Sequence, residues 1–152
     1  LEEGLGRSED PLVTAILKIE SGWLHFRHQE LDRSLELLHE AERAVRAHDV
    51  RVWRMRALDC LWGPLESLGR GDEAMPLLAE ALELAVDLRD AVWEQRIRVH
   101  LGFRMIRAGT PGRARPYVDR AIAMARMIGD PYMEAVAPWA TTRRQGSGCR
   151  RS

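Results

Sequence analysis

Along residues 72–88 the apolar positions are Ala74, Leu77, Leu78, Ala81, Leu82, Ala85 and Leu88, spaced three and four apart. That spacing lines one face of an α-helix. Forty residues on, Ala114, Tyr117, Val118, Ala121, Ile122, Ala125 and Ile128 repeat it. The stretches 11–29, 51–69 and 91–108 are also apolar at helical spacing, so the chain predicts pairs of helices. The punctuation agrees. Asp10 before Pro11, and Asp130 before Pro131, read as a capping side chain followed by proline at the first helical position. Gly69 and Gly109 are expected to stop the first helices of their pairs, and Asp72 to cap a second one. Pro76 and Pro116 are expected in the first turn of that second helix, where a missing N–H costs little. Pro64, after Gly63, is expected to kink the helix over 51–69 near its middle.

Sliding the sequence by 40 residues matches 51–90 with 91–130 at Val52/Val92, Trp53/Trp93, Arg56/Arg96, Leu61/Leu101, Gly69/Gly109, Ala74/Ala114, Pro76/Pro116, Ala81/Ala121, Ala85/Ala125 and Asp90/Asp130. Composition alone would give roughly three such matches. Asp10-Pro11 and Gly22 join the same register, 120 residues before Asp130-Pro131 and 80 before Gly102. The units are therefore 11–50, 51–90 and 91–130, with a partial fourth over 131–139. Residues 1–10 form a lead-in and 140–152 an arginine-rich tail, expected to be disordered.

The small residues Gly22, Gly102, Ser34, Ala74 and Ala114, with Ala41, Ala81 and Ala121 seven positions further on, sit where two helix backbones would approach most closely. This pattern resembles the tetratricopeptide repeat family over residues 11–139. The resemblance implies an all-α, right-handed solenoid of antiparallel helical hairpins, about three and a half repeats long. It also implies a non-catalytic protein-interaction module with no cofactor. Two departures stand out. Trp62 replaces the glycine in the second unit, so that hairpin is expected to splay or repack, and the period is 40 rather than 34. Long units with a Met-Ile-Gly-Asp-Pro turn, as at 127–131, are similar to those of bacterial LuxR-type, ATP-dependent transcription regulators, where the array is the input region. No GK[ST] phosphate loop or helix-turn-helix is visible. The alternative is a small-molecule-sensing regulatory domain of a transcription activator.

Composition narrows this further. Apolar residues make up 45% and charged residues 30%, the values of a globular chain. The 23 basic and 23 acidic residues cancel, which removes a global electrostatic argument for nucleic acid or membrane binding. Four arginines and no acid follow Thr142, so the preceding residues carry net −4, from 19 basic and 23 acidic side chains. Cys60 and Cys149 form no paired motif, and no apolar stretch approaches the roughly 18 residues of a membrane span. A cytoplasmic setting is expected. Lys18 is the only lysine and asparagine is absent, a bias of GC-rich bacterial genomes. The chain starts without methionine, as a piece of a longer protein or a processed product would.

Candidate chemistry is sparse. His39-Glu40 begins an HExxH-like run, but Arg43 stands where the second histidine must be. Glu36 and His39 have the ExxH spacing of di-iron bundles in a single copy, where two are needed. His25 and His28, with Asp32 nearby, read as a surface pair rather than a metal site. Cys60, among apolar residues, reads as a buried, inert thiol. No catalytic or metal site is expected.

In tetratricopeptide arrays the first helices line the concave side, and the resemblance places Trp23, Phe26, Arg56, Arg96 and Phe103 there. Facing inward, they would make a groove for an acidic or amphipathic peptide. Alternatively, Trp23 and Phe26 pack between helices as core. The basic and amide clamp of chaperone-binding members is missing, since Ile19, Asp59 and Val99 stand at its positions with Trp23, Gly63 and Phe103. A protein or peptide partner is expected, without membrane or direct nucleic acid binding. The fourth unit supplies only Pro131 to about Trp139, is broken at Pro138, and leaves Trp139 as the last plug. The faces of Tyr117, Ile122 and Ile128 would then be partly uncovered, and pairing of two copies through this open C-terminal end is expected.

Overall fold

The computed structural model describes residues 10–130. They form six helices: α1 (Pro11–Arg27), α2 (Leu31–Ala47), α3 (Arg51–Ser67), α4 (Gly71–Asp87), α5 (Ala91–Arg107) and α6 (Pro111–Ile128). Consecutive helices start 20 residues apart, so two of them make each 40-residue unit. Each pairs closely with its neighbour in sequence. The first helices also touch one another, α1 against α3, whereas the second helices are held apart by the first helix between them. The result is a solenoid with an inner row, α1, α3 and α5, and an outer row, α2, α4 and α6.

One turn chemistry ends every helix. Residues 29, 49, 69, 89, 109 and 129 all adopt positive φ, between 53° and 75°. At α3 the Arg70 N–H donates to the Leu65 carbonyl at 2.8 Å, and the Gly69 N–H to that of Glu66 at 3.1 Å. This six-to-one and five-to-two pairing satisfies carbonyls that the helix end leaves open, and it recurs at the other turns between helices. Glycine supplies the left-handed residue at 69, 109 and 129, but Gln29, Asp49 and Arg89 do so elsewhere. Left-handed backbone costs an L-residue roughly 1–2 kcal/mol, less for Asp. Gln29→Gly and Arg89→Gly are each expected to stabilise the array by about 1 kcal/mol, read as a higher urea midpoint with an unchanged slope. A lower midpoint for both would refute this account of the turns.

Starts are less uniform. The Asp10 carboxylate accepts from the Leu12 N–H at 2.8 Å, and that of Asp90 from the Trp93 N–H at 3.1 Å. Asp72, expected as a cap, lies inside the first turn of α4 and instead accepts from Arg104 Nη2 at 2.5 Å. The helix begins one residue earlier than the apolar pattern marks, at Gly71. Pro76 and Pro116 consequently fall in the second turn of their helices rather than the first. Pro64 falls in the last turn of α3 rather than near its middle. The helix continues through it to Ser67, and the Leu68 N–H still reaches the Pro64 carbonyl at 3.0 Å. The first helices end at 27, 67 and 107, just before the left-handed turn.

The core runs along the solenoid between the rows. Ala41, Ala81 and Ala121 are fully buried, as are Ser34, Ala74 and Ala114 or nearly so. Ser34 Oγ donates to the Gly22 carbonyl at 2.7 Å, closing α1 onto α2. A Cβ on Gly22 would lie 2.7 Å from Leu38 Cγ, and one on Gly102 would lie 2.6 Å from Val118 Cγ2, so these hairpins need glycine. The expected splaying at Trp62 is not observed. Its ring turns along the inner row toward α5, and α3 packs on α4 as extensively as in the other hairpins. A large side chain is accommodated because the inner row offers it a second direction. Buried Glu42 is held between Arg46 at 2.8 Å and Arg54 at 3.4 Å, and Arg54 also pairs with Glu80, fastening α2, α3 and α4. The partial fourth unit, the helix expected to begin at Pro131, the Trp139 plug and the arginine-rich tail lie outside the described residues.

Candidate partner-binding face

The face of the inner row is built by side chains three and four residues apart on α1, α3 and α5. Trp53 and Arg56 on α3, and Trp93 and Arg96 on α5, are one helical turn apart, so each arginine lies beside its own tryptophan. The Arg56 guanidinium sits 4.5 Å from the Trp53 ring centre and 5.5 Å from that of Trp93. The Arg96 guanidinium sits 5.0 Å from Trp93 and 6.0 Å from Trp23 on α1. Trp53, Arg56, Trp93, Arg96 and Trp23 thus form one alternating ladder across all three inner helices. Each contact places a cation by an aromatic quadrupole within the favourable distance of about 6 Å.

Acids hold the arginines in place. Arg56 Nη2 lies 3.2 Å from Glu20 Oε1 on α1, and Arg96 Nε lies 3.0 Å from Asp59 Oδ2 on α3. Asp59 is only 1% exposed. Its other oxygen accepts from His100 Nδ1 at 2.7 Å, so this carboxylate clamps two residues of α5 at once. An acceptor-only carboxylate requires the proton on Nδ1, which leaves Nε2 of a neutral His100 as an acceptor. The His100 ring stacks on Trp62 at 4.8 Å, and Trp62 meets Phe103 edge-on at 5.9 Å.

The structure brings all five sequence-predicted residues to this row, with different surroundings. Arg56 and Arg96 keep 32% and 43% of their side-chain surface in solvent. Phe103 is exposed at the α5 end of the row. Trp23 and Phe26 are half-buried and tilt against each other at 5.4 Å. Phe26 fills the notch at Gly63, where a Cβ would come within 2.8 Å of its ring. Phe26 therefore packs between α1 and α3, and both Trp23 and Phe26 keep part of their surface in solvent. Neither arginine offers its full charge, since each already faces an acid.

Sequence reasoning missed Glu20, Trp53, Asp59, Trp62, Trp93 and His100 as parts of this face. Trp53/Trp93 and Arg56/Arg96 recur three residues apart in both units, a signal of stacking that the repeat alignment contained. Asp59 breaks the apolar register of Ile19 and Val99, and an acid at a core position needs a partner.

Elsewhere the chemistry stays bland. Burial, then Arg43 and Arg70, lower the pKa of His39. His25 Nδ1 pairs with Glu30. Among the described residues no three His, Cys, Asp or Glu side chains are grouped to hold a metal ion, and no helix is long and apolar enough to cross a membrane. Burial, and next Asp59, push the Cys60 thiol up to about 12, which makes it a poor nucleophile at neutral pH.

Six helices in two rows, closed by small residues at hairpin contacts, define an all-α helical repeat of the tetratricopeptide type. The crystal structure of a Rap protein complexed with competence and sporulation factor is similar at TM-score 0.79 and 19% identity, over 91% of this chain and 38% of that one. The TPR domain of Arabidopsis FLU is similar at TM-score 0.69 and 18% identity, over 76% of this chain and 96% of that one. This chain therefore spans 38% of the length of the Rap protein. No family model matches the sequence, and no curated protein does.

Proposed function

We propose that this chain is a non-catalytic interaction module that takes a peptide or protein segment along its inner row. The observation that carries the reading is the tryptophan–arginine ladder, which runs unbroken across α1, α3 and α5 with both arginines keeping part of their side-chain surface in solvent. Tryptophan and arginine are the residues most enriched at binding hot spots, because they combine large contact area with directed donors. Arg56 and Arg96 are each pinned by an acid at one position, so their remaining N–H groups are preorganised for a partner's carboxylate or backbone carbonyl. Phe103 and Trp62 continue the row with apolar surface. A segment carrying one or two acidic residues beside an apolar anchor fits this row better than a highly acidic one. The similar Rap protein was crystallised with a competence and sporulation factor, which agrees with an interaction role for this fold. The forty-residue unit and the nearly lysine-free composition support placing the module in a larger bacterial regulatory protein of the LuxR type.

Selection of a displayed random-peptide library on the chain tests this reading. Recovered peptides are expected to lose about 100-fold in affinity for the Arg56→Ala/Arg96→Ala variant, because charge-assisted hydrogen bonds contribute about 1.5–3 kcal/mol each. Thermal unfolding of the same variant checks that the array is intact. Failure to recover any peptide, or equal affinity for the folded variant, would overturn the proposal.

A further inference from the structure

We infer that His100 selects the anchor residue of the bound segment. Its Nε2 takes the hydrogen of a tyrosine O–H or a tryptophan N–H laid over the aromatic surface beside it. The inference rests on the reading of the inner row as a binding face, and it names the side chain that face accepts. It starts from Asp59, an acid at a register position where α1 has Ile19 and α5 has Val99. The carboxylate is 1% exposed, and both its oxygens are taken up by side chains of α5. Oδ2 accepts from Arg96 Nε at 3.0 Å and Oδ1 from His100 Nδ1 at 2.7 Å. An apolar residue here avoids desolvating a charge, and buried ion pairs often stabilise a fold less than such a replacement does. Asp59 therefore points to a role in placing the two side chains it holds.

Holding His100 by Nδ1 fixes the ring and also its tautomer, since an ionised carboxylate beside a guanidinium accepts and cannot donate. In the neutral ring Nε2 is then the acceptor. That nitrogen has no hydrogen bond among the described residues, and it is not one of the enclosed polar atoms without a partner, so it reaches the surface. The side chain as a whole keeps only 18% of its surface in solvent. Its ring stacks on Trp62 at 4.8 Å, and Trp62 meets the exposed Phe103 edge-on at 5.9 Å. The acceptor thus stands beside an aromatic surface, one helical turn from the donors of Arg96.

Two other uses of a carboxylate-held imidazole lack their parts. Cys60, which follows Asp59, is buried and makes no hydrogen bond to the imidazole, so there is no nucleophile for it to activate. A metal would need further ligands, and among the described residues no three His, Cys, Asp or Glu side chains are grouped to supply them. Reading a donor remains. An aliphatic or phenyl side chain laid against Trp62 and Phe103 covers Nε2, displaces its water and leaves the acceptor unsatisfied. A phenol or an indole covers the same surface and restores the hydrogen bond. A site of this kind rejects an analogue that lacks the donor. His100 and Arg96 are four residues apart, about 6 Å along α5. Two residues of extended chain span about 7 Å, so the anchor is expected one or two positions from the acid that meets Arg96.

Peptides selected from a random library on the full chain test this. Those whose binding depends on Arg56 and Arg96 are expected to carry tyrosine or tryptophan one or two positions from an acid. Exchanging that tyrosine for phenylalanine, or that tryptophan for naphthylalanine, is expected to lower affinity about 10- to 100-fold. His100→Phe keeps a ring on Trp62 and removes the acceptor, and the two members of each peptide pair are expected to bind it alike. Circular dichroism checks that the variant is folded. Nitrogen NMR of the wild-type chain needs no variant. At about pH 8, above the titration range of ordinary imidazoles, the His100 Nε2 resonance is expected to move with the donor peptide and not with its donorless twin. Peptides that need both arginines yet keep their affinity without the donor would overturn this inference and leave the interaction module standing. So would an unchanged preference in folded His100→Phe, or an Nε2 resonance that responds equally to both peptides. Failure to recover any peptide overturns the interaction reading, and this inference with it.

Discussion

Replacing Leu38 with alanine is expected to lower the unfolding free energy by about 2–5 kcal/mol. Leu38 is 0% exposed and sits at the closest approach of α1 and α2, among Ala15, Ile19, Leu35 and Ala41. Removing its terminal carbons loses their burial and leaves a cavity that two backbones in close contact cannot readily collapse. The partner across the contact provides an internal check. A Cβ on Gly22 would lie 2.7 Å from Leu38 Cγ and 3.3 Å from the Ser34 carbonyl oxygen. Gly22→Ala is therefore expected to cost about 1–3 kcal/mol from overpacking, partly offset by the better helix propensity of alanine. In the Leu38→Ala background the added methyl enters vacated space. The double variant is expected to be more stable than the sum of the two predicts, by about 1 kcal/mol or more. Strictly additive values from urea unfolding would show that the methyl does not reach the leucine.

Truncation of Asp59 to alanine is expected to cost about 3 kcal/mol, through a different mechanism. Its carboxylate, 1% exposed, accepts from Arg96 at 3.0 Å and from His100 at 2.7 Å. Loss of both charge-assisted bonds unties α5 from α3 on the inner row. It also frees Arg96 from the position that stacks it between Trp93 and Trp23. The cost stays below that of a stranded buried ion because Arg96 retains contact with water. The melting temperature should fall by roughly 6–12 °C, taking about 2–4 °C per kcal/mol for a chain of this length. Asp59→Val is expected to cost less than the alanine variant, since Ile19 and Val99 show that the register accepts an apolar side chain. If alanine cost less than about 0.5 kcal/mol, Asp59 would not fasten the inner row.

The repeat itself was legible from residues alone. Apolar spacing in 72–88 and its copy in 112–128 fixed helix type and face, because a helix that must bury one side repeats its apolar residues every three or four positions. Asp10, Gly69 and Gly109 marked helix ends through local backbone chemistry, which needs no distant partner. Gln29, Asp49 and Arg89 hid the same turns, because neighbouring contacts can hold a non-glycine residue left-handed where local preference is only about 1–2 kcal/mol. Arg56 and Arg96 were visible as a recurring pair, but a pair of equal charges in one register says nothing of what lies opposite. Only the packing of α1, α3 and α5 decided that Glu20 and Asp59 stand against them and that Trp93 lies between them. The same packing brought Trp62, whose sequence position pointed to a clash with α4, into a stack with His100. Sequence alone determined that this chain is a row of helical hairpins, since that follows from local periodicity and close-approach residues. The charge and aromatic pattern of its inner row was decided by tertiary structure, because it depends on which helices, forty residues apart, come to lie side by side.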